Sequence, residues 1–199
     1  MSLLQNAAPA LVLASASAAR RAVLAGAGLQ FTVAVSGVDE GGIKNTSADP
    51  ATTALALARA KAAAITAPGA IVIGCDQILL CESTCFDKPA DLTAARAQLL
   101  ALSGKPHDLI TAICAYKDGT ELWHHIATPT LTMRQFSAAF LTAYLAAEGD
   151  AVLTSVGAYR LEGPGAHLFS QIEGEHAAIL GLPLIALLDF LRGHGVVLA

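Results

Sequence analysis

The chain has 199 residues, 54% of them hydrophobic and 14% charged, with a formal net charge of −4. That balance excludes a disordered chain and argues against a basic nucleic-acid-binding surface. No apolar run approaches the roughly 18–20 residues of a membrane span, and no basic residue precedes Leu11-Val12-Leu13 as a secretory leader would require.

Leu11–Ala14 reads as a short buried strand, followed by Ser17 as N-cap and a helix over Ala18–Ala27 that stops at Gly28. Arg20 and Arg21 stand in the first turn of that helix, where cations oppose the helix dipole. Two readings follow: an anion docks on the helix N-terminus with Ser15 and Ser17 as hydroxyl donors, or the arginines form an exposed, tolerated pair. Asp39 and Glu40 precede two glycines and read either as a solvated acidic loop or as cation ligands beside a phosphate site.

Asp49-Pro50 opens a second, alanine-rich helix to about Ile65, with Pro at its tolerated first position. On it Leu57, Lys61 and Ile65 share one side, so Lys61 either reaches into a site or snorkels past the core edge. Ile71–Leu80 is a strand with a carboxylate, Asp76, in its middle. A buried carboxylate needs a partner or a task, so Asp76 is a metal ligand, a general base, or the ion-pair partner of Lys61 or Lys88. Gly74 beside it allows close approach of a ligand.

A third helix spans about Leu92–Leu102 and ends at Gly104. Asp118-Gly119 marks a turn joining His107–Tyr116 to Glu121–Met133 as a hairpin. Ser137 caps a helix to about Ala147, the glycine-rich Gly157–Gly165 suits a ligand-contacting turn, a strand lies near His167–Ile172, and Pro183 opens a last helix, Leu184–Leu191. The interleaving predicts an α/β fold with a mixed sheet, with no linker to divide 1–199 into separate domains. Cys75, Cys81, Cys85 and Cys114 form no C-x-x-C pair and read as small buried thiols of a reducing cytoplasm. A redox role for Cys75 is countered by its neighbour Asp76, whose charge raises a thiol pKa. His124 and His125 lack metal-ligand spacing and read as surface or strand residues.

Taken in order, Ser15-x-Ser17-x-x-Arg20, Val38-Asp39-Glu40, Lys61, Gly74-x-Asp76, Lys88-Pro89 and Gly157-Ala158-Tyr159-x-x-Glu162-Gly163-x-Gly165 resemble the Maf family of nucleoside triphosphate pyrophosphatases. The likeness runs from about Leu11 to Leu191 and includes "LSGKPHDLITAI" and the closing "GLPL" at Gly181–Leu184. It implies an elongated mixed sheet flanked by helices, with two lobes around a central cleft, in a single Maf-like domain that is usually a homodimer. It also implies hydrolysis of a nucleoside triphosphate to the monophosphate and pyrophosphate with a divalent cation, Mg²⁺ or Mn²⁺, in the cytoplasm.

By matching positions, Ser15, Ser17 and Arg20 hold the triphosphate. Glu40 and Asp76 bind metal and the attacking water, with Asp76 as proton acceptor, and Lys61 and Lys88 neutralise phosphate charge. Gln77 with Glu162 resembles the branch that acts on 7-methyl-GTP, since a carboxylate accepts guanine N–H bonds and complements a cationic ring. Ala18 replaces the usual Pro, Ala19 replaces an Arg or Trp at the base-binding wall, and His176 stands near a position that is often Tyr. The alternatives are a dTTP/UTP pyrophosphatase of the same family, or a catalytically weak nucleotide-binding regulator linked to cell division.

Overall fold

The computed structural model describes residues 4–44 and 49–198. Strand β1 (Leu11–Leu13) runs parallel to β2 (Thr32–Val33) on one side and to β3 (Ile71–Cys81) on the other, in the register Leu11↔Ile71 and Leu13↔Ile73. Strand β4 (Thr84–Phe86) folds back antiparallel on the end of β3. Strand β5 (Pro106–Lys117) is met antiparallel by β6 (Thr120–Ala127) and then by β7 (Thr130–Met133), which pairs with β8 (Phe169–Glu173). The sheet order is β2-β1-β3-β5-β7-β8, with β4 on β3 and β6 on β5. Helices α1 (Ala18–Gly26), α2 (Glu40–Lys44), α3 (Pro50–Ala63), α4 (Leu92–Leu102), α5 (Ala138–Glu148), α6 (His176–Ile179) and α7 (Leu184–Gly193) complete the mixed α/β architecture.

The chain divides into two compact units. The first comprises Met1–Asp76, Thr111–Ala127 and Glu175–Ala199. Alternation places Leu11 and Leu13, Ile71, Ile73 and Cys75, and Ile113 and Ala115 on one side of its strands. They join Leu24 of α1 and Leu187, Phe190 and Leu191 of α7 in one buried cluster. The opposite side of β3, carrying Val72, Gly74 and Asp76, faces α3, because Gly74 lies against the Ala58 carbonyl and the Ala62 side chain.

The second unit comprises Gln77–Ile110 and Thr128–Gly174. Its buried side chains include Leu79, Leu99, Leu102, Leu131, Met133 and Leu141. His107 of the "LSGKPHDLITAI" segment is 2% exposed, and its Nε2 meets the Tyr159 hydroxyl at 2.9 Å beside the ring of Phe169. Burial pushes the imidazole down to about 4, so it is neutral at physiological pH.

Helix starts match the sequence signals closely, since Ser17, Asp49 and Ser137 each accept a bond from the backbone N–H three residues on. Strands match less well. The expected single strand Glu121–Met133 is two, split at Thr128-Pro129, where Pro cannot donate to the ladder and its carbonyl instead accepts from Leu109 N–H. The expected strand start at His167 lies inside a 3₁₀ turn, Pro164–Leu168, and β8 begins at Phe169. Short elements went unread, among them β2, with two exposed residues, α2, whose five residues include two glycines, and the four-residue α6. Cys81 and Cys85 lie on the β3–β4 hairpin, which leaves Cys81 buried and Cys85 exposed, whereas burial is expected for all four cysteines.

The depressed His107 value sets a pH dependence. Between the unfolded value near 6.5 and the folded value near 4 the unfolded chain binds a proton that the native state refuses, so stability falls as pH drops through that window. Urea titrations at pH 7, 5.5 and 4.5 are expected to show this loss, approaching about 3 kcal/mol in total. In His107→Gln the part of the slope due to this group disappears.

Candidate active site

The first segment of the site is the turn into α1. Ser15 is buried at the end of β1, and its Oγ accepts from Ser17 N–H at 3.3 Å. Ser17 caps the helix by accepting from Arg20 N–H at 3.3 Å. The two arginines separate: Arg21 is exposed, while Arg20 turns inward. Its Nε donates to the Gly181 carbonyl at 2.8 Å, and Nη1 donates to the Cys75 carbonyl at 2.8 Å and to Ser15 Oγ at 3.2 Å. These bonds fix the guanidinium, and Nη2 makes no hydrogen bond among the described residues. The exposed-pair reading therefore holds for Arg21 and fails for Arg20.

The second segment is an acid–lysine–acid line. Asp39 does not point at a ligand: its Oδ1 accepts from Gly41 N–H at 3.1 Å at the start of α2. That turn puts Glu40 on α2 with its Oε1 2.7 Å from Lys61 Nζ, and the same ammonium lies 2.6 Å from Asp76 Oδ1. The side chains of Lys61 and Asp76 are 14% and 10% exposed, against 44% for Glu40. Of the two lysines considered for Asp76, Lys61 is its partner.

Gly74 explains how that pair forms. A Cβ there would lie 2.1 Å from the Ala58 carbonyl oxygen and 2.9 Å from the Ala62 Cβ. The close approach that the glycine allows is that of α3, not of a ligand. One turn along the helix from Ala58 is Lys61, and two residues along the strand from Gly74, on the same face, is Asp76. The helix–strand contact thus delivers the ammonium to the carboxylate.

Helix α3 is also clamped from the side. Arg59 Nε and Nη2 form a fork with Glu121 Oε2 and Oε1 at 2.7 and 2.9 Å, and His124 Nδ1 and the Tyr116 hydroxyl reach the same carboxylate. The Arg59 hydrogen bonds, assisted by those of His124 and Tyr116, lower the Glu121 carboxyl to about 2. Cys75 is fully buried, and burial, more than the charge of Asp76, raises its thiol to about 11. Such a thiol is unreactive.

Gln77, Lys88 and Glu162 belong to the second unit. Gln77 follows Asp76 on β3 and so projects from the opposite face. Lys88 is exposed after β4, and Ala19 is part-buried in the first turn of α1. Glu162 is exposed and pairs with Arg160 at 3.5 Å. The glycines around it make close packing possible, a role the sequence reading did not give them. A Cβ at Gly165 would lie 2.3 Å from the Arg160 carbonyl oxygen, and one at Gly157 would lie 2.5 Å from a Leu79 methyl. Sequence reasoning also missed the Cys75 and Gly181 carbonyls that hold Arg20. Gly181 has φ +90°, and a Cβ there would press on Arg20 Nε at 3.0 Å. The "GLPL" match was the signal available.

The donor set suits a hard divalent cation. Two carboxylates, Glu40 and Asp76, already converge on one positive group, Lys61 Nζ, and Mg²⁺ is bound by one or two carboxylates together with substrate phosphate oxygens. No group of three or more His, Cys, Asp and Glu able to hold a metal ion occurs among the described residues, and no helix among them is long and apolar enough to cross a membrane.

The family model described as "Maf-like protein" matches residues 10–194. A protein of Paramagnetospirillum magneticum named nucleoside triphosphate pyrophosphatase is 53% identical over 190 residues, covering 92% of this chain and 98% of its own length. One of the same name from Granulibacter bethesdensis is 51% identical, covering 92% and 96%. A Brucella abortus protein named 7-methyl-GTP pyrophosphatase is 45% identical over 188 residues, covering 92% and 94%.

The Gly74 contact gives a direct test. Gly74→Ala must push α3 off β3, with a stability loss of about 3 kcal/mol in urea denaturation, and the Lys61–Asp76 bond is expected to break with it. A crystal structure of the variant showing that bond intact at wild-type stability would refute the packing argument.

Proposed function

The chain belongs to the Maf-like family, and we propose that it is a nucleoside triphosphate pyrophosphatase whose chemistry centres on Asp76, Lys61, Glu40 and Arg20, with 7-methyl-GTP among its substrates. The observation that carries the reading is the convergence of two fixed cations on consecutive residues of β3. Arg20 bonds the Cys75 carbonyl, and Lys61 bonds the Asp76 carboxylate. Cleavage of a phosphoanhydride builds negative charge on phosphate oxygens, and preorganised cations stabilise it without reorganisation during the reaction.

In this reading the Nη2 edge of Arg20 and the hydroxyls of Ser15 and Ser17 bind the triphosphate. Asp76 Oδ1 is held by Lys61, which leaves Oδ2 to take the proton of the attacking water. Water oxygen bonds to phosphorus, the anhydride between the α and β phosphates breaks, and nucleoside monophosphate and pyrophosphate leave. Lys61 gives its charge to the phosphates. A divalent cation, Mg²⁺ or Mn²⁺, would be held by Glu40 and Asp76 and would neutralise part of the phosphate charge. Lys88 joins the phosphate-binding charges on the strength of its motif position.

Base choice rests on Glu162 and Gln77. A carboxylate accepts the N1–H and N2–H bonds of guanine and complements a ring made cationic by methylation, which uracil and thymine do not offer. The name of the Brucella abortus relative supports this reading. A homodimer acting in the cytoplasm belongs to the same proposal, on the family likeness.

Pyrophosphate release from a panel of nucleoside triphosphates with Mg²⁺ or Mn²⁺ tests the activity, and no release from any of them sinks it. Asp76→Asn is expected to lower kcat by about 10²–10⁴-fold with nucleotide affinity, measured by calorimetry, changed only a few-fold. Lys61→Ala leaves Asp76 buried without its cation and is expected to lose about 3–5 kcal/mol of stability as well as activity.

A further inference from the structure

Glu148, at the C-terminal end of α5, is an acid with a side chain only 3% exposed. The proposed reaction gives it no part. A carboxylate so buried needs a cation, and the one it meets is Arg160, with Nη1 3.4 Å from Glu148 Oε2. The same guanidinium also meets a second acid, with Nε 3.5 Å from Oε1 of exposed Glu162. One arginine therefore joins a buried acid to the acid read above as the base-selecting group, and one negative charge of the three is left uncompensated.

The backbone is shaped around this arrangement. Gly163 leaves room for Glu148, since a Cβ there would lie 3.1 Å from Glu148 Oε1. Gly163 N–H donates to the Arg160 carbonyl at 3.2 Å, and Gly165 lies against the same carbonyl. The Tyr144 hydroxyl donates to the Ala158 carbonyl at 3.2 Å, fixing the chain just before. The turn carrying Glu162 is thus held by main-chain contacts, while its side chain, long and otherwise free to sample rotamers, is held by Arg160 alone among the described residues.

We propose that Arg160, anchored by the buried carboxylate of Glu148, is a positioning residue that sets base preference by holding Glu162 in one orientation. The proposal rests on the reading that Glu162 meets the base. Arg160 takes one carboxylate oxygen of Glu162 and leaves the other for the base N–H groups, and the surplus negative charge favours a cationic ring over a neutral one.

The test compares kcat/KM for 7-methyl-GTP and UTP in four variants. Arg160→Ala is expected to lower the value for 7-methyl-GTP about tenfold, through KM, and that for UTP less than about twofold. Because this variant strands Glu148, Arg160→Ala/Glu148→Gln removes both charges and must give the same shift in preference. Arg160→Lys keeps the charge without the fork and is expected to recover part of it. Glu162→Ala separates the two ideas. If it shifts preference while both Arg160→Ala variants slow the two substrates equally, Arg160 has a structural role only and this inference fails, with the reading of Glu162 intact. If Glu162→Ala leaves the ratio unchanged, the reading of Glu162 falls and takes this inference with it.

Discussion

The candidate site depends on the contact between a glycine and a helix backbone. At Gly74 the strand has no side chain, so the Ala58 carbonyl of α3 comes to a distance that any other residue would forbid. Everything on that face follows from this closeness. Lys61 reaches Asp76, and Glu40 reaches Lys61, because α3 lies low on the strand. The alanines that blur the apolar face of α3 are the other half of the contact, since larger side chains at Ala58 or Ala62 would lift the helix. Burial of Asp76 is then tolerable, because a cation is delivered with the helix that buries it.

Two cations are held by different means, and the difference matters for chemistry. Arg20 is immobilised by neutral carbonyls and a hydroxyl, which use three of its five donors without cancelling its charge. Lys61 is held between two carboxylates, so its charge is more than matched until something anionic or cationic enters. In the proposed reading a polyanion meets full positive charge at Arg20 and an exchangeable one at Lys61. The Asp76 carboxylate that meets Lys61 lies next along the strand from the carbonyl that holds Arg20.

Much of this was legible in the sequence because it obeys local rules. Ser17, Asp49 and Ser137 are caps whose spacing announces a helix start, and the alternation of Ile71, Ile73 and Cys75 announces a buried strand. The motif order led to Arg20, Glu40, Lys61 and Asp76, and the structure brings all four into one unit. Relations between distant segments were illegible. Nothing near Gly74 says that helix rather than ligand fills its space, nothing near Glu148 says that it is buried against Arg160, and Gly181 offers only a carbonyl. The break at Pro129 and the 3₁₀ turn at Pro164–Leu168 were missed because an apolar run conceals where pairing partners change.

The hold on Arg20 has a consequence for how the protein is made. Its guanidinium is tied to a carbonyl 55 residues later and to another 161 residues later. A chain emerging from the ribosome has its serine turn early but lacks the second of these anchors until Gly181 has been translated. Until then only the Ser15 hydroxyl and the Cys75 carbonyl are there to hold the side chain. The hold on Arg20 is therefore complete only when nearly the whole chain is present, and any cut before Gly181 releases Nε.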